Sequence, residues 1–217
     1  MRKSGWTTVV ALLLAGAAQA APFQNGDFEI GTAPGAFTQV NPGSPAITGW
    51  TVINSSVDYI GTYWNAASGS RSIDVSGSGG ANSGLEQGFD TIAGTTYDVT
   101  FALAGNPDCG PAIKPLTVTA VPPATTQNYN FDTTGRSRPA NMGWVDQSFS
   151  FTATGTTTTL RFTTPNTTAC GPALDNVRVV ARAAQVAPVP TTSEWGLLLL
   201  ASLMAGLALR RHARRTR

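Results

Sequence analysis

Thr96-Tyr97-Asp98-Val99-Thr100-Phe101-Ala102-Leu103 is the stretch that decides the fold. Tyr97, Val99, Phe101 and Leu103 fall on one face, with Asp98 and Thr100 on the other. This period-2 alternation is that of a half-buried β-strand. The pattern recurs outward along the chain in Leu116, Val118 and Ala120, in Phe149 and Phe151, in Leu160 and Phe162, and in Val177 and Val179. Weaker runs lie at Ala46 to Ile53, Val57 to Ile60, Arg71 to Val75 and Tyr129 to Asp132. Turn clusters separate them: Asn41-Pro42-Gly43-Ser44-Pro45, Gly77 to Gly84, Ala93-Gly94-Thr95, Ala104-Gly105-Asn106-Pro107 and Thr154-Gly155-Thr156. Roughly nine or ten short strands at this spacing predict an all-β domain, a β-sandwich with Thr- and Ser-rich outward faces. Composition agrees: Thr, Ser, Gly, Asn and Pro abound, while the helix formers Lys and Glu are scarce.

The two ends read as addresses. Arg2 and Lys3, the apolar run Thr8 to Ala17 and the small-x-small site Ala18-Gln19-Ala20 form a signal peptide over 1–20. The sandwich domain then covers 21–182, followed by a Pro/Ala linker over 183–192. The tail, 193–217, carries a greasy run read as a membrane-spanning helix over 196–209 and a basic end. From Trp195 to Leu209 that run covers about 22 Å at 1.5 Å per residue, against a hydrocarbon core of about 30 Å. Cytoplasmic arginines would leave the domain outside the membrane.

Val189-Pro190-Thr191-Thr192-Ser193-Glu194-Trp195-Gly196, followed by leucines and arginines, resembles the IPTL-CTERM sorting signal of Gram-negative bacteria. Val189 stands where that signal has Ile, and Thr192 where it has Leu. The resemblance implies processing by an exosortase-type membrane protease and transfer to the cell surface or to extracellular polymer.

The net charge of +2 belongs to the ends. Residues 21–187 hold 7 basic against 11 acidic residues, a net of −4. That excludes a nucleic-acid binder, which needs a basic footprint. The only histidine is His212 in the tail, which removes Ser-His-Asp, Cys-His and most zinc arrangements from the domain. Lys114 is the domain's only lysine, and no spacing singles out a carboxylate pair for glycoside hydrolysis. The expectation is therefore not an enzyme. Cys109 and Cys170 each open a Cys-Gly-Pro-Ala string, and export makes a disulfide the expected state, with two free thiols the alternative.

Phe23-Gln24-Asn25-Gly26-Asp27-Phe28-Glu29, Ile47-Thr48-Gly49-Trp50, Gly69-Ser70-Arg71-Ser72-Ile73-Asp74-Val75 and Cys170-Gly171-Pro172-Ala173-Leu174-Asp175-Asn176-Val177, in this order, resemble the choice-of-anchor C family. That family is grouped with the domain of unknown function 642 proteins. The resemblance implies a galactose-binding-like jelly roll, a fold common among carbohydrate-binding modules, and implies that the two cysteines pair. It also implies a structural Ca²⁺ tying first strand to last, with Glu29 and Asp175 in the matching positions; hydrogen bonding of these two carboxylates to backbone at strand ends is the alternative.

Sugar recognition uses aromatic faces with carboxylates and amides around them. Asp58-Tyr59-Ile60-Gly61-Thr62-Tyr63-Trp64-Asn65 concentrates such groups, so Asp58, Tyr59, Tyr63 and Trp64, with Arg71, Asn106 and Asp108, are the expected ligand-binding residues. Core or loop-anchoring roles are the alternative for Tyr59 and Trp64, and core packing is expected of Trp50 and Trp144. The expected function is binding of extracellular polysaccharide, with a structural or adhesive surface protein as the alternative.

Overall fold

The computed structural model describes residues 21–78, 82–183 and 192–213. The expected signal peptide, most of the linker, and Val189, Pro190 and Thr191 of the tail motif lie outside the described residues. Residues up to Arg182 form one compact unit, and Ala183–Arg217 a second.

The first unit is a jelly-roll sandwich of eleven strands, with every pairing antiparallel among the described residues. One sheet holds β1 (Phe37–Val40), β3 (Val57–Ile60), β4 (Ser72–Asp74), β11 (Pro172–Ala181), β6 (Thr96–Gly105) and β9 (Val145–Thr152), in that order. The other holds β2 (Thr51–Ile53), β5 (Gly84–Asp90), β10 (Thr157–Thr163), β7 (Ile113–Val121) and β8 (Thr125–Asp132). The opening stretch is β6, at the heart of the larger sheet. Its apolar face meets the smaller sheet ring against ring. Phe101 lies 5.4 Å from Phe162, and Phe89 lies 6.4 Å from both Tyr97 and Phe151. Such offset and edge-on contacts add to the burial of the rings themselves.

Two strands escape the alternation read from sequence. β1 is short and mostly exposed, and β5 opens on Gly84 and is interrupted by Gly88. The Ala46 to Ile53 run shrinks to Thr51–Ile53, preceded by a lone bridge between Gly31 and Ile47.

The Asn25–Glu29 turn closes one end of the sandwich. Asn25 Nδ2 donates to the carbonyls of Ile30 and Thr48, and its Oδ1 accepts from Ile30 N. Trp50 Nε1 donates to Asn25 O at 2.9 Å. This turn drives Phe28 into the core against Trp50, 5.2 Å away. Gly26 passes so close to β11 that a Cβ would sit 1.9 Å from Val177 O, so no other residue fits there.

The wet outer face expected of the sandwich holds for the smaller sheet, where β7 alternates buried and partly exposed residues through Thr117 and Thr119. The larger sheet differs. Tyr59, Ile73, Leu174 and Leu103 are cross-strand partners on the inner face. Asp58, Asp74, Ala173 and Ala104 are partners on the outer face, and they are buried too. Loops fold back over them. Trp64 Nε1 donates to Ser72 Oγ at 2.8 Å, Asn65 N to Pro139 O at 2.9 Å and Trp144 Nε1 to Asn65 O at 2.9 Å.

The Cys109–Cys170 disulfide pins two of the covering segments across a sequence separation of 61. Lys114 is fully buried beneath it and donates to the carbonyls of both Cys109 and Cys170 at 2.7 Å. Gly105 leaves the room for this side chain, since a Cβ there would lie 2.7 Å from Lys114 Cγ.

The second unit contains α1 (Thr192–Ala213). Here the structure corrects the sequence reading. Among the described residues no helix is long and apolar enough to cross a membrane. The apolar run is bounded by Glu194 and by Arg210 and Arg211, and is diluted by Gly196, Ser202 and Gly206. About 22 Å of it cannot match about 30 Å of hydrocarbon.

Replacing both Cys109 and Cys170 by Ser is expected to lower unfolding free energy by about 4 kcal/mol, the loop-closure value for a cross-link of this span. Urea denaturation of the variant and the parent measures it.

Candidate functional site

The covering loops leave a pocket over the outer face, with a volume of about 240 Å³. It is lined by Phe37 and by Asp58 and Ile60 of the edge strands, by Tyr63 from the loop after β3, and by Asn106, Asp108 and Cys170 beside the disulfide. A second hollow of about 420 Å³, lined by Pro107, Asp108 and Arg136 to Arg138, adjoins it through Asp108.

A knot of side chains joins the two. Tyr63 Oη donates to Asp108 Oδ2, and Arg138 Nε donates to both oxygens of Asp108 at 3.0 and 2.7 Å. The Arg138 guanidinium lies 4.1 Å from the centre of the Tyr63 ring, and Phe37 meets the same ring at 5.1 Å. The hydrogen bond to Asp108 holds the Tyr63 hydroxyl above its ordinary pKa, and Asp108 does the same for Arg138. Phe37, 46% exposed, is the ring left open to solvent here.

Beneath the pocket the carboxylates are buried. Asp74 is fully covered, and its oxygens accept from Ser76 N and Gly171 N at 3.0 Å and from Asn106 Nδ2 at 2.9 Å. Burial nonetheless pushes its pKa up to about 7, against the pull of those donors. Asp58 pairs across from Asp74 in the sheet register. Its Oδ1 is buried with no hydrogen-bond partner, and burial raises its pKa to about 6.

Of the residues expected from sequence, Asp58, Tyr63, Asn106 and Asp108 come together at this pocket. Tyr59, Trp64 and Arg71 do not line it. Tyr59 belongs to the core between the sheets, where its hydroxyl donates to Phe28 O and accepts from Arg71 Nη1 at 2.9 Å. Trp64 is 1% exposed and packs over Ser72. Neither ring offers a face to a ligand, and Arg71 ties the amino-terminal turn to the sheet through Tyr59 and Gly31 O. Trp50 is a core residue as expected, whereas Trp144 is only partly buried against the core.

Phe37 and Arg138 went unread. The signal for the first was a short β-favouring run, Phe37-Thr38-Gln39-Val40, although its two apolar residues fall on opposite faces. For the second it was the closeness of Arg136 and Arg138, two of the domain's seven bases.

Glu29 and Asp175 converge on the loop before β4. Glu29 Oε1 accepts from Ser70 N and Arg71 N at 2.7 Å, and Oε2 from Ser70 Oγ at 2.8 Å. Asp175 accepts from Ser68 N at 2.8 Å and Asn176 N at 2.6 Å. Burial raises the Asp175 pKa to about 7, while the loop donors outweigh burial and lower that of Glu29. Every oxygen of the pair thus faces N–H or O–H donors. Calcium takes six to eight oxygens, so these two carboxylates would have to share a calcium with backbone carbonyls and give up part of their hold on the loop. Among the described residues no cluster of three or more His, Cys, Asp or Glu side chains forms. The pair is a clamp on the loop.

Residues 21–180 match the family described as a protein of unknown function, DUF642, and residues 187–215 match the IPTL-CTERM motif. The chain belongs to the DUF642 family and carries an IPTL-CTERM segment. Halomucin of Haloquadratum walsbyi is 33% identical over 170 residues, 72% of this chain, but the match spans 2% of that protein's length. Solved structures similar to the chain include the CBM22-1 xylan-binding domain of Paenibacillus barcinonensis Xyn10C, with 19% identity and a TM-score of 0.47 over 77% of this chain and 100% of that one. Another is CBM35 of Cellvibrio japonicus Abf62, with 13% identity and a TM-score of 0.45 over 70% and 99%.

Asp58, Asp74 and Asp175 hold their protons more tightly folded than unfolded, where a carboxyl titrates near 4. Their stabilisation is complete below about pH 4 and is lost as pH rises through about 6 and 7. The melting temperature is expected to fall by several degrees from pH 5 to pH 8, and the Asp58→Asn variant to flatten that slope. Scanning calorimetry across this range checks both. Adding a calcium chelator should leave the melt unchanged; a fall would put calcium at the Glu29–Asp175 pair.

Proposed function

We propose that this DUF642 domain is a non-catalytic carbohydrate-binding module of an exported protein, and that its partner is extracellular or cell-wall polysaccharide. The observation that carries the reading is the pocket. It sets the open ring of Phe37 beside Asp58 and Asp108, which are acceptors for sugar hydroxyls, at the rim of a longer hollow. A largely pre-formed concavity with an aromatic wall and a few fixed polar groups is how proteins hold small polar rings. Tyr63 contributes its edge and hydroxyl, because its face is taken by Arg138.

Catalysis fits poorly. Glycoside hydrolysis needs two carboxyl groups flanking the scissile bond. Asp74, the neighbour of Asp58, is wholly buried and committed to Asn106, Ser76 and Gly171.

The IPTL-CTERM segment supports handling by an exosortase-type protease. The setting that follows is the surface or extracellular matrix of a Gram-negative bacterium, with the module delivering the protein to polymer there.

Affinity electrophoresis of the full chain in gels containing galactan, xylan or β-glucan tests the proposal. Retardation is expected in at least one, weakened about tenfold, or ~1.4 kcal/mol, by Phe37→Ala and unchanged by Ile92→Ala, an exposed residue outside the pocket. Migration unaffected by every polymer would leave an adhesive role through protein contacts. Release of reducing ends would make the domain an enzyme.

A further inference from the structure

The pocket is short of one hydrogen-bond donor. Asp58 is 8% exposed, and its Oδ1 is the buried side-chain atom without a partner among the described residues. The donors around it are spent elsewhere. Gln39, opposite on β1, gives its Nε2 to Ser56 Oγ and Asn41 Oδ1. Asn106 gives its Nδ2 to Asp74. Lys114 gives its ammonium to the Cys109 and Cys170 carbonyls. A buried acceptor left open is costly, and native structures rarely keep one. Lining a pocket, it marks where a bound molecule supplies the missing donor.

The charge of the pocket restricts what that molecule is. Asp58 and Asp108 line it and Asp74 lies directly across from Asp58 in the sheet, while no basic side chain lines it among the described residues. Arg138, the nearest cation in the adjoining hollow, is held by both oxygens of Asp108. Arg136 stacks over Phe131. A ligand carboxylate entering here meets like charge in a partly desolvated site and finds no free cation.

We infer that Asp58 is the anchoring acceptor of this pocket, that it receives a hydroxyl of an uncharged sugar unit, and that the pocket rejects uronates. The inference rests on the carbohydrate reading above and adds the ligand class and the residue that selects it.

The test uses the full chain and two neutral probes, galactan and β-glucan, each beside its own derivative oxidised at C6 to the uronate. Retention by a neutral polymer is expected to fall at least tenfold on its oxidised form. Asp58→Asn should weaken neutral binding at least tenfold and shrink the gap between the two forms. Its melting temperature at pH 8 should equal or exceed that of the parent, since an unpaired buried charge is removed; this separates lost binding from lost folding. Equal retention on neutral and oxidised polymer, or undiminished neutral binding by Asp58→Asn, overturns the inference alone; the second result would mean that water satisfies Oδ1. Absence of retention on both neutral probes overturns the inference, and absence of retention on xylan as well overturns the function proposed above.

Discussion

The Asp74 carboxylate is the constraint on which the outer face of the larger sheet depends. It sits on a three-residue strand with no solvent contact, and draws in three separate segments: the turn at Ser76, the loop at Asn106 and the start of β11 at Gly171. A buried carboxylate is tolerable only when donors converge on it. Here that demand positions the loops that roof the sheet. The disulfide and Lys114 fasten the same segments from the other side, through the carbonyls of the two cysteines.

This roof explains why the candidate site lies where it does. An ordinary sandwich sheet leaves one face in water. Here Trp64 and the disulfide loops cover the end of that face formed by β3, β4 and the start of β11, and the pocket opens there. The rings near the rim, Phe37 and Tyr63, stay at the surface because β1 is an edge strand and because Arg138 holds Tyr63 in place from above. The roof and the site are therefore one construction.

The architecture was legible because β7, β9, β10 and the first half of β6 alternate cleanly, and alternation reports a single buried face. It failed at β5, where Gly84 and Gly88 remove the side chains that would carry the pattern. It failed in a different way on the roofed face. Asp58-Tyr59-Ile60 reads as a polar and aromatic surface cluster, yet Tyr59 points into the core and Trp64 lies under the roof. No local pattern distinguishes an aromatic ring that binds a ligand from one that seals a loop. That outcome is set by residues far along the chain, such as Ser72 and Pro139. The apolar tail misled for a simpler reason: its leucines suit lipid, but the run they form is too short and too diluted by polar and small residues to cross it.

Lys114 has a last consequence. It is the only lysine in the chain beyond Lys3, and it is completely enclosed. The folded domain therefore presents no lysine amine to its surroundings. Proteases that cut after lysine, sugars that glycate amines and reagents that cross-link through them find no lysine target on its surface. The same amine becomes reachable when the disulfide loops lift away. Its labelling therefore serves as a built-in gauge of whether the roof over the pocket is closed.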